Sequence, residues 1–192
     1  DHGSFCLASH GVNFITDSPI GRYDAEAHNV VLIDGKAYDS RESRTESFIR
    51  SVDATPYADI IDHDLELAYD RTLAGPHSGP WHWEEYNPVA SAERRTLFVR
   101  GVNGPLLLVA DNVQKDNQQH TYRWRLHTYS NNKLEADGRH FSIAERYGGA
   151  FVHSMGEGQT VRFVEENVPP GTYRGWLLVR GQPYPARWSN TT

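Results

Sequence analysis

The chain has 192 residues, is 38% hydrophobic, and carries 5 Trp, 10 Tyr and 7 Phe, a composition that suits a folded domain with a sizeable core rather than a disordered chain. Its net charge is −6 with acidic and basic residues interspersed, which argues against a nucleic-acid-gripping surface, and no apolar run approaches the roughly 20 residues of a membrane-spanning helix. The single cysteine, Cys6, excludes an internal disulfide framework and a cysteine-based zinc site.

Period-2 alternation recurs from end to end, and convincing helical periodicity is absent. Alternation is already running at Phe5, with no leader pattern before it, so the chain reads as a natural or experimental fragment of a longer protein. Residues 4–8 read as a strand, His10-Gly11 as a tight turn, and 12–16 as the returning strand. Residues 29–33 form a β-branched run closed by Asp34-Gly35, a hairpin signal. From 59 to 69 the odd positions carry Ile61, Leu65, Leu67 and Tyr69 while Asp62, Asp64 and Glu66 hold the even ones, predicting one strand with a solvated face.

Residues 73–87 are the longest stretch without a pattern and suggest a functional loop. Residues 96–100 and 106–110 read as strands joined by a turn over 101–105, the second apolar on both faces like a central strand. Tyr122, Trp124 and Leu126 alternate with Arg123, Arg125 and His127 in a further strand. Ala136-Asp137-Gly138 marks a turn, and Pro169-Pro170-Gly171 separates strands over 161–164 and 176–180. The pattern predicts one all-β domain over 1–192, an antiparallel β-sandwich with little or no helix.

Ten histidines raise metal and acid–base roles, and the informative cluster is Asp1, His2, Asp17 and His28-Asn29. A strand and its return bring Asp1 and Asp17 within reach, with His28 opening the next strand. Aspartate and imidazole are zinc ligands, but zinc wants about four, so spacing alone leaves metal binding and turn capping both open. Trp81 and Trp83 suit either stacking on sugar rings or a shared buried strand face, the second being favoured. Arg123 and Arg125 form a stripe that suits a polyanionic sugar or simply the polar side of a strand. The acidic run over 59–66 lacks the glycine-containing spacing of a calcium hand and reads as a solvated face. Cys6, between Phe5 and Leu7, reads as a small core or sheet residue.

The stretch Asp1-His2-Gly3-Ser4-Phe5, then Gly11, Asp17 and the run His28-Asn29-Val30-Val31-Leu32-Ile33-Asp34-Gly35, resembles the opening of the heparinase II/III-like β-sandwich domain of polysaccharide lyases. The segments 94–101 and 106–111 are similar to that family's central strand pair. The resemblance implies a supersandwich-like fold and a domain that completes an active-site cleft with a preceding α/α toroid. It also implies β-elimination on an acidic, uronic-acid-containing polysaccharide, and a secreted or periplasmic location.

In the family the first strand begins His-x-His-x-Asp, and Asp1 aligns with that Asp, so both histidines, one catalytic and one metal-binding, fall upstream of residue 1. The resemblance therefore places no catalytic residue in this chain and implies inactivity of the chain alone. It assigns Asp17 and His28 as ligands of a structural zinc, held poorly without the third ligand. His2 is expected to alternate to the wrong face to replace it. Arg22 and Tyr23, in the intervening loop, are the candidates to meet a uronate carboxylate, since arginine pairs with carboxylates bidentately. The rival expectations are a non-catalytic carbohydrate-binding or structural module and, last, a free-standing metal-dependent sandwich or cupin-like enzyme. Neither nucleic acid nor membrane is an expected partner.

Overall fold

Alternating strands that carry apolar residues on one side must bury that side against another layer, and this requirement organises the chain. The computed structural model describes residues 2–9, 12–17, 27–38, 45–74, 79–101, 105–128, 132–136, 141–145, 159–164 and 170–180. A short ribbon pairs β1 (Leu7–Ser9) with β2 (Val12–Ile15). Two sheets form the body. The larger has the order β14-β9-β8-β5-β4, built from β4 (Phe48–Ala54), β5 (Ala58–Asp64), β8 (Ser91–Val99), β9 (Leu106–Gln114) and β14 (Thr172–Arg180). The smaller has the order β13-β10-β3, from β3 (Val31–Ile33), β10 (Tyr122–Thr128) and β13 (Gln159–Val164). Two further ribbons pair β6 (Arg71–Ala74) with β7 (His82–Glu85), and β11 (Asn132–Ala136) with β12 (Phe141–Glu145). All the pairings are antiparallel, and the fold is all-β and sandwich-like, as the alternation predicts.

The two sheets close on one apolar cluster. Val31 and Ile33 of β3 and Trp124 and Leu126 of β10 meet Leu107 and Val109 of β9 and Leu177 of β14. Tyr122 of β10 stacks on Tyr173 of β14 at 5.4 Å between ring centroids, and its hydroxyl donates to the Gly171 carbonyl at 3.0 Å. Gly171 has φ +75°, and a Cβ there would lie 1.4 Å from the Asp116 carbonyl oxygen, so glycine is required at this turn.

Two local expectations need correction, and a third holds at its turn alone. The predicted strand over 59–69 breaks after Asp64 into α1 (Glu66–Asp70), because Leu65, Ala68 and Tyr69 are all buried and only a turn inward achieves this. The Tyr69 hydroxyl then donates to the Val31 carbonyl at 2.7 Å, tying α1 to the smaller sheet. The Asp34-Gly35 turn forms, with φ values of 53° and 82°, and Ile33 and Lys36 exchange backbone hydrogen bonds across it (2.7 and 3.0 Å), but the hairpin stops at that one bridge: β3 pairs with β10, and Asp34 exchanges backbone and side-chain bonds with Thr121. Residues 73–87 contain much of the β6–β7 ribbon rather than a patternless loop.

On the outer face of the larger sheet, Asp62 accepts two bonds from Arg95 (2.5 and 3.0 Å), and Asp64 accepts two from Arg50 (2.7 and 3.1 Å). This is the solvated charged face the acidic run suggests, with the carboxylates engaged by arginines.

Candidate functional site

Asp17 lies two residues beyond β2, and His28 directly precedes Asn29, whose side chain determines where both fall. The Asn29 amide nitrogen donates to the carbonyls of Phe5 (2.7 Å) and Thr16 (2.8 Å), and its oxygen accepts the His127 amide (2.8 Å). Its backbone amide donates to the Ser4 hydroxyl at 3.1 Å. One buried side chain thus fastens the chain before β1, the end of β2 and β10 to the start of β3. With Thr16 so held, Asp17 meets His28: Oδ1 lies 2.7 Å from Nδ1, and His28 is 3% exposed. A carboxylate only accepts, so Nδ1 carries the proton and the imidazole is fixed in that orientation.

Beneath this pair lies Arg94 of β8, 2% exposed. Its Nη1 donates to the carbonyls of Gly3 (2.6 Å) and Asn29 (2.7 Å), while Nε and Nη2 take the Asp111 carboxylate (2.7 and 3.0 Å). The Trp124 indole donates to the same carboxylate at 2.5 Å. A buried charge is tolerable only with this degree of pairing.

Tyr38 completes the surroundings, its ring 6.5 Å from that of His28 and 5.3 Å edge-on from that of His2. Burial raises the Tyr38 hydroxyl above its ordinary range, so it stays protonated. Burial also lowers His2 to about 4, and its neutral ring engages Ser47 through Nδ1 (2.7 Å) and Thr45 through Nε2 (2.5 Å). With both nitrogens committed to hydroxyls, His2 does not stand in as a ligand beside Asp17 and His28.

The structure therefore brings together the two ligands expected from the sequence. They do not by themselves complete a zinc shell: among the described residues no group of three His, Cys, Asp or Glu is placed to hold a metal ion. Asp1, Arg22 and Tyr23 lie outside the described residues. Two other expectations change. Trp81 and Trp83 are 52% and 41% exposed, not on a buried strand face, because β7 is exposed along its length in a ribbon hydrogen-bonded to neither large sheet. Cys6 is exposed and does not enter the core. Arg123 is exposed and Arg125 half-buried, on the side of β10 opposite the buried Tyr122, Trp124 and Leu126.

The network around Arg94 and Asp111 escaped the sequence reading, although a signal existed. Asp111 is a charge directly after the apolar run 106–110, and with Val99 facing Leu106, counting outward brings Arg94 to Asp111. The structural duty of Asn29 had no comparable signal, because its partners come from three distant segments. No helix of the described residues is long and apolar enough to cross a membrane. Comparison with family models and with curated proteins finds no match for the chain.

Proposed function

We propose that the chain is the β-sandwich domain of a polysaccharide lyase that cleaves uronic-acid-containing polysaccharide by β-elimination, acting with an α/α toroid domain upstream in the same protein. The observation that carries this is the meeting of Asp17 and His28 at 2.7 Å, the two residues that the family resemblance pairs as metal ligands. Supporting it, the resembling strand pair is joined in register at the centre of the larger sheet, its Arg94 reaching the backbone of Asn29, next to His28.

In such an elimination the sugar carboxylate is neutralised, a base removes the C5 proton, and an acid protonates the departing O4. The catalytic groups belong to the toroid and to a histidine upstream of Asp1, so no residue of this chain is given a catalytic role. Asp17 and His28 are proposed as two ligands of a structural zinc, the third coming from upstream; the hydrogen bond between them would give way to the metal, with release of the proton it holds. Arg22 and Tyr23 are proposed to face the uronate. A secreted or periplasmic location belongs to the same proposal.

The test is the zinc content of the full-length protein. We expect about one bound zinc per chain, lost in both Asp17→Ala and His28→Ala. Unchanged metal in both variants would remove the assignment. A second reading, a non-catalytic carbohydrate-binding module, is favoured by the exposed Trp81 and Trp83, and differs in expecting no turnover from the full-length protein.

A further inference from the structure

The β6–β7 ribbon is short, yet it displays two tryptophans to solvent, and large exposed apolar side chains grouped together are informative where scattered ones are not. Leu73 faces Trp83 and Arg71 faces Glu85 across the ribbon, so these four side chains share one face. Trp81, 52% exposed, directly precedes β7, two residues before Trp83. The Arg71 guanidinium lies 4.4 Å from the Trp83 ring centroid, and its Nη2 is held by Glu46 at 2.9 Å. One side of the Trp83 ring is therefore covered and its orientation set, while the ring as a whole stays 41% exposed. Beside it is a shallow hollow of about 360 Å³ lined by Asp70, Arg71, Trp83, Glu84, Glu85 and Pro88.

An oriented indole beside a carboxylate acceptor matches the two chemical faces of a pyranose. The C–H face of the sugar lies on the ring, and its hydroxyl rim donates to Glu85, which as a carboxylate only accepts. Charge selects among sugars. Glu46, Asp70, Glu84 and Glu85 outnumber Arg71 and His82, whose own Nε2 is engaged by Glu84 at 2.7 Å. A polyanion would be repelled here, whereas a neutral sugar would not. The ringing carboxylates also disfavour a protein partner, since the centre of a protein interface is depleted of charge. We infer that Trp83 and Glu85, with the neighbouring exposed Trp81, form a binding platform for a neutral pyranose. This inference deepens the second reading, the carbohydrate-binding module, and is independent of the Asp17–His28 pair and of the lyase proposal.

The experiment titrates the tryptophan fluorescence of the intact chain with cellohexaose, xylohexaose and mannohexaose, and with a polyuronate hexamer as the charged comparison. We expect a saturable change with at least one neutral hexamer and at least tenfold weaker binding of the polyuronate. Trp81→Ala and Trp83→Ala should each weaken binding tenfold or more at unchanged far-ultraviolet dichroism, whereas Trp83→Tyr, which keeps a stacking ring, should retain most of it. Glu85→Ala should weaken binding without touching either ring. No saturable response to any neutral hexamer, preference for the polyuronate, or undiminished binding by both alanine variants would each overturn the inference.

Discussion

Arg94 and Asp111 stand directly opposite each other on β8 and β9 and form a doubly hydrogen-bonded ion pair, with their side chains 1% and 2% exposed. The pair does more than offset two buried charges. Through Gly3 and Asn29 the guanidinium reaches the segment that carries His28, and through the Trp124 indole the carboxylate reaches the smaller sheet. One ion pair therefore links both layers of the sandwich to the candidate site.

Removing either member leaves the other charged and buried. Arg94→Ala and Asp111→Ala are each expected to destabilise the chain by about 3–5 kcal/mol. Removing both together should cost less than the sum of the two, because the second deletion no longer strands a charge. Urea unfolding of the four proteins of this cycle checks it, and additive losses would contradict the coupling.

Asn29 offers a separate test. Asn29→Ala strands the Phe5 and Thr16 carbonyls and the His127 amide, so a loss of at least about 2 kcal/mol is expected in denaturant unfolding. Asn29→Asp should not rescue it, since a carboxylate would face two carbonyl oxygens in place of a donor. A near-neutral Asp variant would contradict the assigned bonds.

His120 is clamped between Asp34 (2.7 Å) and Asp116 (2.8 Å). Burial alone would lower its pKa, but the bonds to both carboxylates outweigh this and raise it. The Asp116 and Asp34 pKa values are lowered, the Gln118 and Thr121 backbone amides and His120 outweighing burial. The contribution of a raised histidine is fully present below its unfolded value of about 6.5 and fades as pH rises through the folded value. The contribution of the lowered carboxylates is present above about 3.9 and fades as pH falls through their folded values. The clamp should therefore help most between about pH 4 and 6.5. The difference in thermal midpoint between the parent and His120→Asn should be larger at pH 5.5 than at pH 8.5, measured by dichroism. An equal difference at both values would contradict the clamp.

At the edge of the larger sheet, β4 leaves Phe48, Ile49 and Val52 more than half exposed. An apolar edge strand invites association, and lysine opposes it. Ile49→Lys and Val52→Lys should leave stability within about 0.5 kcal/mol while reducing concentration-dependent light scattering. Scattering unchanged in both variants would show that this edge does not associate.

Where each strand could be read alone, the fold was legible. Tyr122, Trp124 and Leu126 against Arg123, Arg125 and His127 state the buried and outer sides of β10 without reference to anything else. What depended on distant partners was not legible. The run 59–69 looks like one strand because Ile61, Leu65, Leu67 and Tyr69 also fit period 2, and the docking of Tyr69 on Val31 decides for α1. The β4 strand passed unnoticed because its apolar residues are exposed and leave no clean alternation. In the candidate site, residue type and spacing left metal binding and turn capping open and only the family resemblance singled out Asp17 and His28, whereas Asn29, Arg94 and Asp111, which hold the surrounding segments in place, act through partners 13 to 98 positions away.

The most direct measurement is the ultraviolet absorbance of the full-length protein incubated with uronic-acid polysaccharides, alginate and heparan sulfate among them. A lyase that shares its cleft with this sandwich should raise the absorbance through the unsaturated uronate at the new chain end. No rise on any uronate polymer, with zinc bound and the protein folded, would contradict the assignment and leave a sugar-binding module in its place.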